Sequence, residues 1–352
     1  LGGARLIKAG TGTLSLSGVA NVADISIEAG RLRTLAASGT QLQGVNSILV
    51  GTGGILDLTP PQTANVTSIK SLSGTGRVEL GDGKALDIVS GLATDSFAGV
   101  FSGPTSSTVK LSGGSLALTG DTGFGGLFKV DGATLKLVGA GSIASAAGLE
   151  VGGRDGAVID LAGVTAPSTT IRNFFTDTST RAGSVLLGGS TLMIDTGTGS
   201  VGRNSLTFSG AGSIDKVGTG TLQLRGTNSH AGLTRVSAGV LDILTEAQLG
   251  TGPITLGGGT LRFTSDGAVS LTKSVNLVAD SAIEFAPPSP GFQVNWSGAQ
   301  FNNSASAIGL FEFDPVRFNN LGGNLGSDTL GNGFKIKSVT VQGASIGNGT
   351  FG

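Results

Sequence analysis

Nine residues, Gly218-Thr219-Gly220-Thr221-Leu222-Gln223-Leu224-Arg225-Gly226, set the terms for the whole chain. They recur almost unchanged as Gly10-Thr11-Gly12-Thr13-Leu14-Ser15-Leu16-Ser17-Gly18, and more loosely as Ser112-Gly113-Gly114-Ser115-Leu116-Ala117-Leu118-Thr119-Gly120. Each copy reads as a glycine turn, a short strand with alternate leucines, and a second glycine. Side chains alternate across a strand, so Leu222 and Leu224 share one face while Thr221, Gln223 and Arg225 share the other. A strand this short cannot bury its apolar face alone, whereas stacked copies can, and that is the logic of a solenoid.

The unit can be followed by its central apolar residue through Leu14, Leu32, Leu56, Val78, Leu116, Leu135, Ile159, Leu192, Leu222, Leu241 and Leu261, and weakly to Ile283. Most intervals fall between 18 and 24 residues, which suits one coil of a β-helix. Three are longer. Leu86-Asp87-Ile88-Val89 is expected to supply a coil in the first and Leu206-Thr207-Phe208 lies in the third, while Asn173-Phe174-Phe175 in the second reads as a loop leaving the stack. Residues 141–149 are the best place for one helical turn, since glycine interrupts every other window of helical length. The fold class is therefore all-β, a parallel β-helix (β-solenoid) over residues 1–285.

A small C-terminal β-rich unit is expected over 286–352. Pro287, Pro288 and Pro290 break the pattern, and Trp296, Phe292, Phe301, Phe311, Phe313, Phe318, Phe334 and Phe351 follow. Its expected role is to cap the last coil or to serve in assembly. At the other end, Gly2 to Gly10 aligns with Gly210 to Gly218, so the chain enters a full repeat at once. An uncovered first coil that meets the C-terminal unit of a second copy would build an open head-to-tail fibre. The chain begins at Leu1 with no signal-peptide pattern, as expected of a processed product or excised piece.

Composition closes off several classes of function. Glycine supplies 63 of 352 residues without a collagen-like period, so it marks turns. There are no cysteines, which removes disulfides, thiolate metal sites and cysteine nucleophiles. A net charge of -1 gives no reason to expect nucleic acid as a partner. No apolar run approaches the roughly 20 residues of a transmembrane helix.

Residues 209–263 resemble the autotransporter-associated β-strand repeat of bacterial passenger domains. The resemblance rests on Ser209 to Leu224, on Gly226-Thr227-Asn228-Ser229-His230-Ala231-Gly232-Leu233-Thr234-Arg235-Val236, and on Ala238-Gly239-Val240-Leu241. Weaker matches cover 2–35 and 98–137. The resemblance implies a right-handed parallel β-helix that is exported to the bacterial surface or the extracellular space. It names no activity, and His230 stands where that family usually has an aromatic residue.

Candidate sites are few. His230, the single histidine, is the one residue through which a Ser-His-Asp triad could run, and it reads instead as a turn residue. Glycoside cleavage needs two or three converging acids, which coil stacking could supply from Asp57, Glu79 and Asp87 or from Glu150, Asp155 and Asp160. Gly322 to Gly333 looks like one imperfect calcium-binding nonapeptide and reads as a hairpin loop, and Gly152-Gly153-Arg154-Asp155-Gly156 is weaker still. No catalytic, cofactor-binding or metal-ligating residue is expected, and no cofactor. The function expected is a non-enzymatic structural one, a surface stalk, adhesin or self-assembling fibre subunit. Its partners would be further copies of itself, or cell-surface and polysaccharide contacts. The alternative is a carbohydrate-binding or carbohydrate-cleaving β-helix.

Overall fold

The computed structural model describes residues 3–35, 41–60, 65–90, 92, 95–176, 183–265 and 269–285, and then the strands Gln293–Trp296, Phe301–Asn303, Gly309–Phe313, Arg317–Phe318 and Phe334–Ile336. Side chains are described as far as Glu284. Among the described residues the chain is all-β apart from one 3-10 turn, Glu246–Leu249, and the paired strands run parallel, so the fold is a parallel β-solenoid. It divides by compactness into two units, residues 1–190 and 191–352.

In the first unit one ladder carries Leu14, Leu32, Leu56, Val78 and Phe101 in direct register. A neighbouring stretch of the same sheet aligns Leu116, Leu135, Ile159 and Val185. A second sheet runs Val66–Ile69, Ala85–Ile88, Thr108–Leu111, Leu127–Val130, Gly148–Val151 and Phe174–Thr176. Between the sheets the rings of Phe97, Phe101, Phe124 and Phe128 pack at centroid distances of 4.8 to 6.1 Å, all four fully buried. In the second unit one ladder aligns Leu192 with Ile214 and Thr234, and another aligns Leu222, Leu241, Leu261, Ile283 and Phe311.

The periodic leucines thus lie on several ladders instead of one, and this accounts for the long intervals. Phe101, not Leu86 to Val89, continues the column above Val78. Ala85–Ile88 belongs to the second sheet. Asn173-Phe174-Phe175 does not leave the stack, because Phe174–Thr176 pairs with Gly148–Val151 and Phe174 is fully buried. Residues 141–149 hold a tight turn, with Ala146 N–H donating to Ile143 O at 3.0 Å, and no helix. Each face of a coil alternates inward and outward in the same way, so periodicity alone does not tell one face from the next.

The inward columns are close to fully dry. Leu116, Leu118, Leu222, Leu224, Leu241, Ile243 and Leu261 are buried. Leu14 and Leu16, on the first coil, are half-buried. Ser15 is exposed, and Ala117 and Gln223 are partly so. Asp242 faces outward yet is buried, because Arg225 and Thr264 close over it with hydrogen bonds of 2.8 and 2.7 Å.

Glycine has a positional task. Each coil stacks on the next at about 4.8 Å, and at the corners a glycine Cα sits against a carbonyl oxygen of the coil before it. A Cβ added at Gly252 would meet Gly232 O at 2.2 Å, and one at Gly232 would meet Gly212 O at 2.4 Å. Threonine decorates some of these corners, with hydroxyls bonded between coils at Thr52 and Thr75 (2.8 Å) and at Thr198 and Thr219 (2.6 Å).

The aromatic-rich stretch 286–352 lies mostly outside the described residues. Within it, Gln293–Trp296, Phe301–Asn303 and Gly309–Phe313 pair in parallel with strands before residue 286.

Leu222→Ala should lower unfolding free energy by about 2–5 kcal/mol, whereas Gln223→Ala, one residue away on the outer face, should cost less than about 1 kcal/mol. Chemical denaturation of both variants checks the strand register.

Candidate functional site

The outward rows hold the chain's acids, and register decides which of them meet. Asp57 and Glu79 are direct partners on adjacent coils, with Arg33 one coil below Asp57. Arg31 bridges the two acids, its Nη1 2.8 Å from Asp57 Oδ2 and 2.5 Å from Glu79 Oε2. Arg33 Nε donates to Asp57 Oδ2 at 2.7 Å, and the Thr59 hydroxyl and N–H donate to Oδ1 at 2.6 and 3.0 Å. Burial by itself would raise Asp57's pKa. The bonds from Thr59, Arg33 and Arg31 outweigh it and hold the carboxyl at about 2. The same contacts raise the Arg31 pKa, Glu79 contributing most. The pair is a structural clamp: both carboxylates are engaged by Arg31, and Asp57 by Arg33 as well.

The other sequence candidates are dispersed. Asp87 lies on the second sheet, 3.9 Å from Lys110, whose Nζ also stands 3.2 Å from Asp131. Glu150 is on that sheet too, paired with Lys129. Asp160 is on the first sheet and caps Ala162 N–H at 3.0 Å. Asp155 lies in the turn between the strands Gly148–Val151 and Ala157–Val164. Neither proposed trio is brought together, because successive strands of one coil belong to different sheets. Gly322 to Gly333 lies outside the described residues. Among the described residues no group of three or more His, Asp or Glu is placed to hold a metal ion.

His230 is fully buried. Thr234 Oγ1 donates to Leu249 O at 2.9 Å and so accepts from His230 Nε2–H, also at 2.9 Å, which fixes the tautomer. Gly250 lies flat on the imidazole, where a Cβ would come within 2.4 Å of the ring. Across it, Lys273 Nζ donates to Gly250 O. Burial, with Lys273 adding to it, pulls the His230 pKa down to about 4. Burial also lowers Lys273, against the opposing pull of Glu246. Asn228 completes this corner, accepting from Phe208 N–H at 2.9 Å and donating to Gln248 O at 2.6 Å. Serine, acid and histidine do not converge here. The imidazole fills a polar corner of the coil and is bonded there through Nε2 to Thr234.

Two lysines escaped the reading of the sequence. Lys8 and Lys216 stand in inward columns, in register with Ile27 and with Ile194 and Val236. Both are buried. Burial draws Lys216 down to about 8, against Asp195 and Asp215, so it keeps its proton at neutral pH. The signal was present: in Ile214-Asp215-Lys216 the period of two that sends Ile214 inward sends Lys216 inward as well.

These features define a parallel β-solenoid whose polar groups are spent on joining coil to coil. Residues 6–33 and 214–243 match the passenger-associated-transport-repeat, and in these two stretches the chain is similar to autotransporter passengers. Comparison with curated proteins and with solved structures gave no significant match. The matched stretches coincide with the two strongest copies of the leucine unit and include both buried lysines. The repeat and the fold together fit an extracellular β-helical passenger. No helix among the described residues is long and apolar enough to cross a membrane, which says nothing of a β-barrel.

The buried imidazole makes stability depend on pH in a known direction. The folded pKa of about 4 lies below the ordinary histidine value of 6.5, so between those values the unfolded chain binds more protons and stability falls as pH falls. The slope should approach roughly 1.4 kcal/mol per pH unit in that window. As His230 is the single histidine, His230→Gln should remove most of the slope between pH 5 and 6.5 in a denaturation series.

Proposed function

We propose that the chain is an exported, non-enzymatic structural passenger, a β-helical stalk, adhesin or fibre subunit at the bacterial surface or outside the cell. The observation that carries this reading is the fate of the outward acids. Asp57, Glu79, Glu150, Asp215, Asp242 and Glu284 each bind an Arg, Lys, Ser or Thr of another coil. Carboxylates used this way fasten coils and are poorly suited to proton transfer, which needs an acid free to change its charge. Continuous parallel ladders with dry inward columns give backbone amides little chance to open, which suits a spacer exposed to proteases. The matched passenger repeat supports export.

A carbohydrate-cleaving β-helix is the second reading, favoured by the adjacency of Asp57 and Glu79. Two measurements separate the readings. The purified chain should resist digestion at a protease level that degrades a loosely folded control, and it should release no reducing ends from bacterial or plant polysaccharides. Cleavage that disappears in both Asp57→Asn and Glu79→Gln would replace the structural reading with the enzymatic one. Fibre formation is tested separately by sedimentation. A self-assembling subunit should show concentration-dependent size that is lost on removing residues 286–352, and a strictly monomeric chain would leave the stalk and adhesin roles without the fibre.

A further inference from the structure

A lysine in an apolar column has to be explained by what its ammonium meets. Lys8 Nζ donates to Ala9 O at 2.9 Å, Gly10 O at 2.6 Å and Ala29 O at 2.9 Å. Lys216 Nζ donates to Val217 O at 2.6 Å, Gly218 O at 2.8 Å and Ala238 O at 3.3 Å. The two sets are equivalent: two carbonyls from the lysine's own turn and one from the next coil. All three ammonium protons are thereby used. The residue after the third carbonyl is a glycine with positive φ in both places, Gly30 at 72° and Gly239 at 66°. A Cβ on Gly30 would come within 2.4 to 2.7 Å of Gly10 O, Gly12 O and Lys8 Nζ, and one on Gly239 within 2.4 to 2.5 Å of Gly220 O and Gly218 O. The space closed by these turns admits an ammonium group and backbone oxygens, and no side chain from the glycine.

We infer that each passenger-repeat copy in this chain builds a carbonyl-lined cation site, occupied by its own lysine ammonium, and that this tethered cation latches one coil to the next. Rings of backbone carbonyls replace the water shell of a cation. Here the cation arrives on a side chain whose methylene stem also fills the column that Ile194 and Val236 occupy in adjacent coils. The ligand class is therefore a primary alkylammonium, and the cage left by shortening the lysine should accept one from solution. The alternative is that the stem matters and the head group is merely accommodated.

Thermal melts of the full chain decide between them. Lys216→Met keeps the stem and removes the donors. It should melt several degrees below the unmodified chain, because Gly218 O and Ala238 O lose the ammonium they accept from and Val217 O keeps only the Thr196 N–H. Lys216→Ala should melt lower still. It should recover part of the loss in n-propylammonium chloride relative to tetramethylammonium chloride at equal ionic strength, a salt exchange to which the unmodified chain should be indifferent. Should Lys216→Ala fail to fold, the same comparison on Lys8→Ala, in the other unit, serves. A Lys216→Met chain that melts with the unmodified chain, or an alanine variant that responds equally to both salts, would overturn the inference.

Discussion

Everything in this molecule depends on one constraint: each strand must lie in parallel register on the strand one coil earlier. The register places like on like, Leu222 on Leu241 on Leu261 on Ile283, and so makes an apolar column from strands four or five residues long. It also brings every outward side chain against a fixed neighbour, which is why Arg31 finds Asp57 and Glu79, and Arg262 finds Glu284. A slip of one residue would turn the column inside out. The corners enforce the spacing from the other side. Where Gly252 rests on Gly232 O and Gly232 on Gly212 O, a methyl group would push the coils apart.

This constraint explains why the polar chemistry of the chain is inward-looking in its purpose. Ser47 bonds Asp24, Ser112 bonds Asp87 and Ser237 bonds Asp215, each joining one coil to the next. Glu246 accepts the N–H groups of Thr272 and Lys273 from the following coil at distances of 2.7 to 3.1 Å. Asp57, used as a fastener in this way, is held ionised by its bonds from Thr59, Arg33 and Arg31, which keep its pKa at about 2.

Much of this was legible in the sequence. The Gly-x-x-Leu-x-Leu unit gave the strand type and the inward residues, and Leu116 through Leu261 lie where alternation puts them. Attribution of strands to faces was not legible, because Phe101 and Val185 continue columns through strands that lack the unit's glycine and leucine spacing. The acid trios failed for the same reason: positions close in the chain, such as Glu79 and Asp87, fall on different sheets. Lys216 was legible in principle from the period of two. It was missed because a charged residue is ordinarily assigned to the outer face, and only the three carbonyls at its tip reconcile it with the core. His230 belongs with it, a polar side chain whose interior place rests on one hydroxyl partner and a glycine.

The register itself is the claim on which the account stands, and distance measurement tests it most directly. Thr221 and Thr260 are outward residues of one row, separated by the strand that carries Val240. Nitroxide labels at these two positions should sit two coil spacings apart, about 10 Å between backbones, and give strong dipolar broadening. Labels at Thr221 and Val240 should broaden more. A pair at Thr221 and Thr260 with no broadening, or with a distribution extending well beyond 20 Å, would contradict the stacked parallel ladder.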